Sequence, residues 1–238
     1  MTTITVKMDL RSMFGPVRDQ GQRPTCLAFA VSDLHAALRG DWSSLSCEYI
    51  FYHAQKRAHR EPTEGVTLPS ILEALRDDGQ PHEAAWPYLA ELPADLTQWG
   101  PPVGVAPLFR RAGEPGKDTV ESVIEELERG RPVLTLLRLS ASFDWAKGDG
   151  VVDPGANEKP DLFRRHAVIS VGHGDINGQR AVLIRNSWGH GWGASGYGWL
   201  TEKFLRATDL QVSYLEGGSQ CISPYRRSLT APQPGSKP

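Results

Sequence analysis

The spacing of apolar residues in the first third of the chain predicts three α-helices. The first begins at Cys26 and ends near Gly40, the second opens at Ser46, and the third follows Thr67. Apolar residues recur at helical spacing in the first of them, at Leu27, Val31, Leu34 and Leu38. Serine and threonine are favoured N-cap residues, and glycine commonly ends a helix, so these boundaries have a physical basis. We expect the first helix to be mostly buried.

No periodicity is sustained between Gln80 and Gly116, where prolines recur instead. This pattern predicts an irregular segment without regular elements that packs across a surface. The tetrapeptide from Asp118 to Glu121 resembles a capping box, and a helix follows it until Gly130. The apolar face of this fourth helix consists of Val120, Val123, Ile124 and Leu127.

The second half of the chain changes to short apolar runs that are typical of strands. The predicted strands cover 132–139, 166–171, 180–185 and 196–200. Asn177-Gly178 lies between the second and the third of them and is a strong type I′ turn signal, so these two strands should pair antiparallel. The polar, proline-rich sequence after Gly217 predicts a disordered tail.

The composition of the chain argues against several classes of function. The 26 Lys and Arg and 28 Asp and Glu give a formal charge of −2, so the chain has no bulk attraction to nucleic acid or to anionic lipid. No apolar run is long enough for a membrane helix, and the N-terminus does not resemble a signal peptide. Three cysteines cannot form a full disulfide framework. We therefore expect a globular protein in the cytoplasm, with neither nucleic acid nor membrane as a partner.

Cys26, His166 and Asn186 are the candidate catalytic residues. A thiol at a helix N-terminus is close to backbone N–H groups and to the positive end of the helix dipole, although a cysteine there is more often a small core residue. The predicted hairpin brings His166 and Asn186 side by side. An asparagine carbonyl that accepts from one imidazole nitrogen orients the other toward a thiol.

At these positions the sequence resembles the papain family of cysteine peptidases. The resemblance extends from about residue 16 to about residue 205. It is carried by Gln20-Gly21, Cys26-Leu-Ala-Phe, His166-Ala-Val-Ile-Ser-Val-Gly172, Asn186-Ser-Trp-Gly-His-Gly-Trp-Gly193 and Gly196-Tyr197. The run that begins at Asn186 is the most specific of these motifs.

The resemblance implies an α+β fold of two lobes with the site in the cleft between them. A helical left lobe would occupy mainly 16–110 and a β-barrel-like right lobe mainly 111–215, within one domain at 1–220 that is followed by a disordered tail at 221–238. Cys26 would be the nucleophile, His166 the general base and acid, and Asn186 its orienting partner. Gln20 and the Cys26 backbone N–H would form the oxyanion hole, and Trp188 would shield the bond between Asn186 and His166.

The same alignment implies a substrate-binding surface. Gly65 would pair with an extended peptide backbone, since a residue without a side chain permits close approach. Val66, Leu136 and Ala167 would line a pocket for an apolar side chain two residues before the scissile bond.

Two positions depart from the family pattern. Secreted members carry a first cysteine where this chain has Arg23, which is consistent with a reducing compartment. Arg165 precedes His166 at a position where papain has an acidic residue, so the pH optimum is expected to differ. Because Cys26 lies close to the start, we expect an intracellular, bacterial-type member without a pro-segment and with a regulatory protein partner.

The sequence therefore predicts a cysteine endopeptidase that cleaves protein or peptide substrates through a thioacyl-enzyme intermediate, without metal or organic cofactor. Two alternatives remain open, namely a transpeptidase or amide-forming acyl transferase with the same site, and a binding module whose site is silent. His173 and His190 are rejected as metal ligands because no second-ligand spacing accompanies them.

Overall fold

A computed structural model of the chain describes residues 2–216 and 220–222. Its α-helices are α1 Cys26–Ala37, α2 Cys47–Ala58, α3 Leu68–Asp77, α4 Val120–Glu128, α5 Ala141–Asp144 and α6 Glu202–Ala207. Its strands are β1 Ile4–Asp9, β2 Leu108–Arg110, β3 Gly113–Pro115, β4 Val133–Arg138, β5 Val151–Val152, β6 Arg165–Ile176, β7 Gln179–Arg185, β8 Tyr197–Thr201, β9 Gln211–Leu215 and β10 Gln220–Ile222. Short 3-10 turns occur at Arg11–Met13, Glu83–Ala85 and Leu96–Gln98.

The predicted helix starts are confirmed at α2 and α3 and shifted at α4. The Ser46 hydroxyl accepts from the Tyr49 N–H, and Thr67 forms a capping box with Ser70. At α4 the cap is Thr119, whose hydroxyl accepts from the Ser122 N–H, and not Asp118. The Asp118 carboxylate instead accepts a hydrogen bond from the Val212 N–H of the neighbouring strand β9, at 2.7 Å.

The main sheet has the order β3-β9-β4-β6-β7-β8-β5, and β1 pairs with the second half of β6. The predicted β6–β7 hairpin is confirmed, and its turn residues Asn177 and Gly178 have φ of 50° and 82°. Strand β6 is longer than the predicted run at 166–171, since β1 provides a hydrogen-bonding partner for its last residues. The predicted run ended at residue 171, and the pairing with β1 begins at Gly172.

Two glycines permit the approach of β1 to β6. A Cβ at Gly172 would lie 2.5 Å from the Met8 carbonyl oxygen, and one at Gly174 would lie 2.2 Å from the Thr5 carbonyl oxygen. Because backbone atoms cannot give way, only glycine fits at these two positions.

The sheet is buried on both faces, which explains its continuous apolar runs. On β6, Ala167 and Ile169 face the core shared with α1, α2 and α3, whereas Val168 faces the core shared with α4 and α6. Strands β4 and β7 alternate in the same way. Helix α1 is buried from Leu27 to Ala37, as predicted, and it packs against β6.

The expected barrel is not observed in the described part of the chain. The sheet is open, since its outermost strands, β3 with three residues and β5 with two, do not pair with each other. It is also mixed, since β5 runs parallel to β8. The α+β class and the two-lobe arrangement of helices and sheet otherwise agree with the expectation.

One further expectation needs correction, and another falls almost entirely on residues that the structure does not describe. The segment at 80–116, predicted to be irregular, contains β2 and β3, because partner strands far along the chain fix these short pieces. The predicted tail at 221–238 lies outside the described residues except at Cys221 and Ile222, whose backbone pairs with β2.

A buried histidine in α1 predicts acid sensitivity. The His35 Nδ1 lies 3.0 Å from Gln80 Oε1, and burial lowers the pKa of His35 from 6.5 to about 4. Below pH 6.5 the unfolded chain therefore binds more protons than the folded chain, so the free energy of unfolding should fall as the pH falls toward 4.

Urea unfolding at several pH values measures this slope. We expect His35→Gln to reduce it by about one proton, or about 1.4 kcal/mol per pH unit, over that window. His190→Gln, at an exposed position, is the control and should leave the slope as in wild type. An unchanged slope in His35→Gln would contradict the assignment.

Candidate active site

A cleft of about 760 Å³ lies between the start of α1 and the neighbouring ends of β4 and β6. All of the sequence-predicted site residues except Asn186 line it, namely Gln20, Cys26, Gly65, Val66, Leu136, His166, Ala167 and Trp188. Asn186 lies behind His166, where it is buried. The structure thus brings the predicted residues together around one cavity.

Cys26 occupies the first position of α1. The preceding Thr25 does not cap the helix with its side chain, since its hydroxyl lies 3.0 Å from the Tyr88 hydroxyl instead. The backbone N–H groups of Ala167, Leu27 and Cys26 are directed at the Cys26 sulfur. Burial raises the pKa of the Cys26 thiol, and these three N–H groups act in the opposite direction.

His166 and Asn186 meet across β6 and β7. The His166 Nε2 lies 2.7 Å from Asn186 Oδ1. The same Oδ1 accepts from the Ser187 backbone N–H at 2.8 Å, so the atom that faces the imidazole is an oxygen. Nε2 must therefore carry the hydrogen, and Nδ1 of the neutral ring remains free to accept a proton.

Burial also governs the titration of His166. It lowers the pKa of His166 to about 4, an effect that the bond to Asn186 opposes, while Arg164 lowers it and Asp144 raises it. Trp188 and Phe143 enclose the imidazole, with ring centroids 4.7 Å and 5.7 Å away. Burial thus favours the uncharged forms of the thiol and of the imidazole.

Gln20 is held in one orientation by Ser187 and Arg23. Its Oε1 accepts from the Ser187 hydroxyl at 2.7 Å, and its Nε2 donates to the Arg23 carbonyl at 2.9 Å. One Nε2 hydrogen is used in this way, and the second is available to an oxygen atom in the cleft that Gln20 lines. Ser187 was missed as a positioning residue, although it lies inside the motif that begins at Asn186.

A buried ion pair anchors the loop that precedes Cys26. Arg23 Nη1 and Nη2 lie 2.7 Å and 3.0 Å from the two oxygens of Glu48, which is fully buried in α2. The Leu89 N–H and the Trp99 indole N–H also donate to Glu48, at 3.1 Å and 2.6 Å. The sequence marked Arg23 only as a departure from the family pattern, and its partner Glu48 was not predicted.

Several residues that were not predicted as site residues also line the cleft, and Phe163 and Gln211 are two of them. Gln211 is opposite Leu136 in the β4–β9 pairing, so the missed strand β9 places it there. Phe163 is almost fully exposed in the loop before β6. Neither position carries a local sequence signal, since both depend on neighbours that are distant along the chain.

The residues that the structure describes contain no group of three or more His, Cys, Asp or Glu side chains that could hold a metal ion. In the same part of the chain, no helix has both the length and the apolar character needed to cross a bilayer.

The family model for papain family cysteine proteases matches residues 4–212. The chain therefore belongs to the papain family of cysteine proteases. Among its relatives, cathepsin K from Gallus gallus is 31% identical over 188 residues, which cover 76% of this chain and 54% of that protein. Peptidase 1 from Dermatophagoides farinae is 26% identical over 200 residues, which cover 81% of this chain and 60% of that protein. The chain thus spans between half and two thirds of these relatives' length.

Solved structures show the same fold. Xylellain, a cysteine protease from Xylella fastidiosa, superposes with a TM-score of 0.69 at 22% identity, covering 91% of this chain and 87% of its own. Digestive procathepsin L 3 of Tenebrio molitor gives a TM-score of 0.67 at 23% identity, covering 90% of this chain and 70% of its own.

The Arg23–Glu48 pair gives a stability prediction. Glu48→Gln leaves a buried guanidinium without its counter-charge, so we expect a loss of about 3–5 kcal/mol in the free energy of unfolding. Asp77→Asn, which removes the acidic partner of the exposed Arg76, is the matched control and should change stability little. Urea denaturation measures both variants, and equal effects would argue against the anchoring role.

Proposed function

We propose that the protein is a cysteine endopeptidase that hydrolyses peptide bonds in protein or peptide substrates through a thioacyl-enzyme intermediate. The observation that carries this proposal is the 2.7 Å contact between His166 Nε2 and Asn186 Oδ1, with His166 and Cys26 lining the same cleft. Membership of the papain family supports it.

In the proposed reaction, the Cys26 thiol gives its proton to His166 Nδ1 as the sulfur attacks the peptide carbonyl carbon. The tetrahedral oxyanion then collapses to a thioester, and the leaving amine takes the proton from His166. A water molecule, deprotonated by His166, attacks the thioester, and the resulting intermediate releases the carboxylic acid product and restores the Cys26 thiol.

Gln20 and the Cys26 backbone N–H are the proposed donors to the oxyanion. A single donor of this kind typically contributes about 2.7–4 kcal/mol to transition-state stabilisation. The two hydrogen bonds that Gln20 makes to Ser187 and Arg23 support this role, since they fix its amide before substrate arrives.

The cleft wall formed by β4 and β6, called the right wall, carries apolar side chains that support the proposed apolar pocket; the opposite wall, on the side of α1, is called the left wall. Leu136 and Ala167 are buried neighbours in the β4–β6 pairing, and Val66 lies on the opposite wall. Gly65 is next to Val66, and a Cβ there would have only the Pro24 carbonyl oxygen nearby, at 3.7 Å. Trp188 covers the imidazole and is the proposed shield of its bond to Asn186.

A cytoplasmic location and a regulatory protein partner stay predictions. The Arg23–Glu48 pair supports the first, because it holds the loop before Cys26 in place without a disulfide.

Cleavage of a peptide library, combined with labelling by a thiol-directed peptidyl epoxide, tests the proposed function. Cys26→Ala and His166→Ala should each abolish labelling and lower cleavage to background. Cys47→Ala is the matched control, since burial raises the pKa of that thiol and it lies outside the cleft lining, so labelling should persist. Labelling that survives in Cys26→Ala would refute the site, and products joined to an added amine would indicate acyl transfer instead.

The pH dependence gives a second prediction. Because His166 must be unprotonated to accept the thiol proton, kcat/KM should fall as the pH drops through about 4. Arg164→Gln removes a positive charge that lowers the pKa of His166, so this limb should move to higher pH. Asp144→Asn removes a negative charge and should move it to lower pH.

If the acid limb of kcat/KM shifted in the same direction in both variants, its assignment to His166 would be contradicted.

A further inference from the structure

The charged side chains that line the cleft are all arginines. Among the described residues that line it, Arg23, Arg60 and Arg165 carry charge at neutral pH, and no carboxylate is present. The whole chain has a formal charge of −2, so this local excess does not reflect the overall composition.

Arg23 cannot contribute to substrate recognition. It is buried, both of its terminal nitrogens bond to Glu48, and Nη1 also donates to the Leu89 carbonyl at 2.5 Å. Its positive charge is therefore compensated by Glu48 within the protein interior.

Arg60, by contrast, is exposed on the left wall. Its Nη1 donates to the Gly65 carbonyl at 2.7 Å, and no carboxylate within the described residues pairs with it. The nearby Glu64 uses a carboxylate oxygen to accept from the Glu61 N–H at 2.9 Å. The guanidinium thus lies beside the Gly65–Val66 segment with donors still available.

Arg165 is on the right wall, directly before His166, and its side chain is 44% exposed. Its Nη2 lies 3.8 Å from Asp209 Oδ2, an oxygen that Arg138 contacts at 3.1 Å. Two guanidinium groups therefore share one carboxylate, which leaves an excess positive charge. The adjacent Arg164 differs, because it forms a two-point ion pair with Asp144 at 2.7 Å and 2.9 Å.

From this arrangement we infer that the cleft selects polypeptide segments that carry acidic side chains on both sides of the apolar residue in the Val66–Leu136–Ala167 pocket. Arg60 recognises one carboxylate and Arg165 the other. The inference rests on the proposed function, since it concerns the substrate of that same site. Exposed ion pairs of this kind support about a two- to fivefold preference each, and salt weakens them.

Matched fluorogenic peptides test the inference. They share one apolar residue and differ at the flanking positions, which hold Glu, Gln or Lys. We expect wild type to give the order Glu, Gln, Lys in kcat/KM, with a Glu-to-Gln ratio that shrinks between about 0.05 M and about 0.5 M salt. Each of Arg60→Gln and Arg165→Gln should lower this ratio, and the double variant should bring it close to one.

Arg76→Gln is the control, since it removes one exposed arginine outside the cleft lining and should preserve the ratio. Using the ratio within each variant cancels any general loss of activity. Equal kcat/KM for the Glu and Gln peptides in wild type, or a preference that survives in the double variant, overturns the inference.

A binding measurement separates this inference from the proposed function. Binding of fluorescent Glu and Gln peptides to the Cys26→Ala chain reports charge selection without turnover. If no peptide is cleaved but the Glu peptide binds more tightly, the proposed function fails and the charge selection stands. If the Gln peptide is cleaved and bound as well as the Glu peptide, only the charge selection fails.

Discussion

The packing of helix α1 against strand β6 is the contact on which the rest of the site depends. Cys26 is the first residue of the helix, and His166 is near the first residue of the strand, so both reach the cleft from the same packed interface. The helix is buried on all sides and the strand is buried on both faces. Neither element can shift without opening the core, which fixes the position of thiol and imidazole relative to each other.

Buried charge completes this interface. Arg185, at the end of β7, is nearly inaccessible, and its Nε donates to Asp33 of α1 at 2.9 Å. Arg18 reaches the other oxygen of Asp33 at 2.7 Å. A carboxylate between two guanidinium groups, one from the strand side and one from the loop before α1, ties the two halves of the molecule together. Removing either partner would leave a buried charge uncompensated, so the arrangement favours one alignment of the lobes.

The cleft combines a buried imidazole with exposed arginines at its edge. Burial raises the pKa of the Cys26 thiol and lowers that of His166, whereas Arg60 and Arg165 remain exposed. These two environments have different roles in the proposed function. In that proposal, the Gln20 side chain and the Cys26 backbone N–H stabilise the developing oxyanion, and the exposed arginines supply modest, salt-sensitive preferences among substrates.

The amino-acid sequence by itself determined the local elements and the identity of the candidate site. Helical periodicity located α1 to α4, side-chain caps marked the starts of α2 and α3, and Asn177-Gly178 marked the hairpin, because these signals act over a few residues. The motifs around Cys26, His166 and Asn186 indicated the family.

Tertiary structure alone decided that the sheet stays open, that β1 and β9 join it, and that Glu48 and Ser187 hold Arg23 and Gln20. It also decided which arginine near the cleft keeps an excess charge, since Arg164 and Arg165 are adjacent in sequence and similarly exposed. Arg164 forms a two-point ion pair with Asp144, whereas Arg165 shares Asp209 with Arg138. Pairings of this kind depend on residues brought together by the fold, and no local pattern records them.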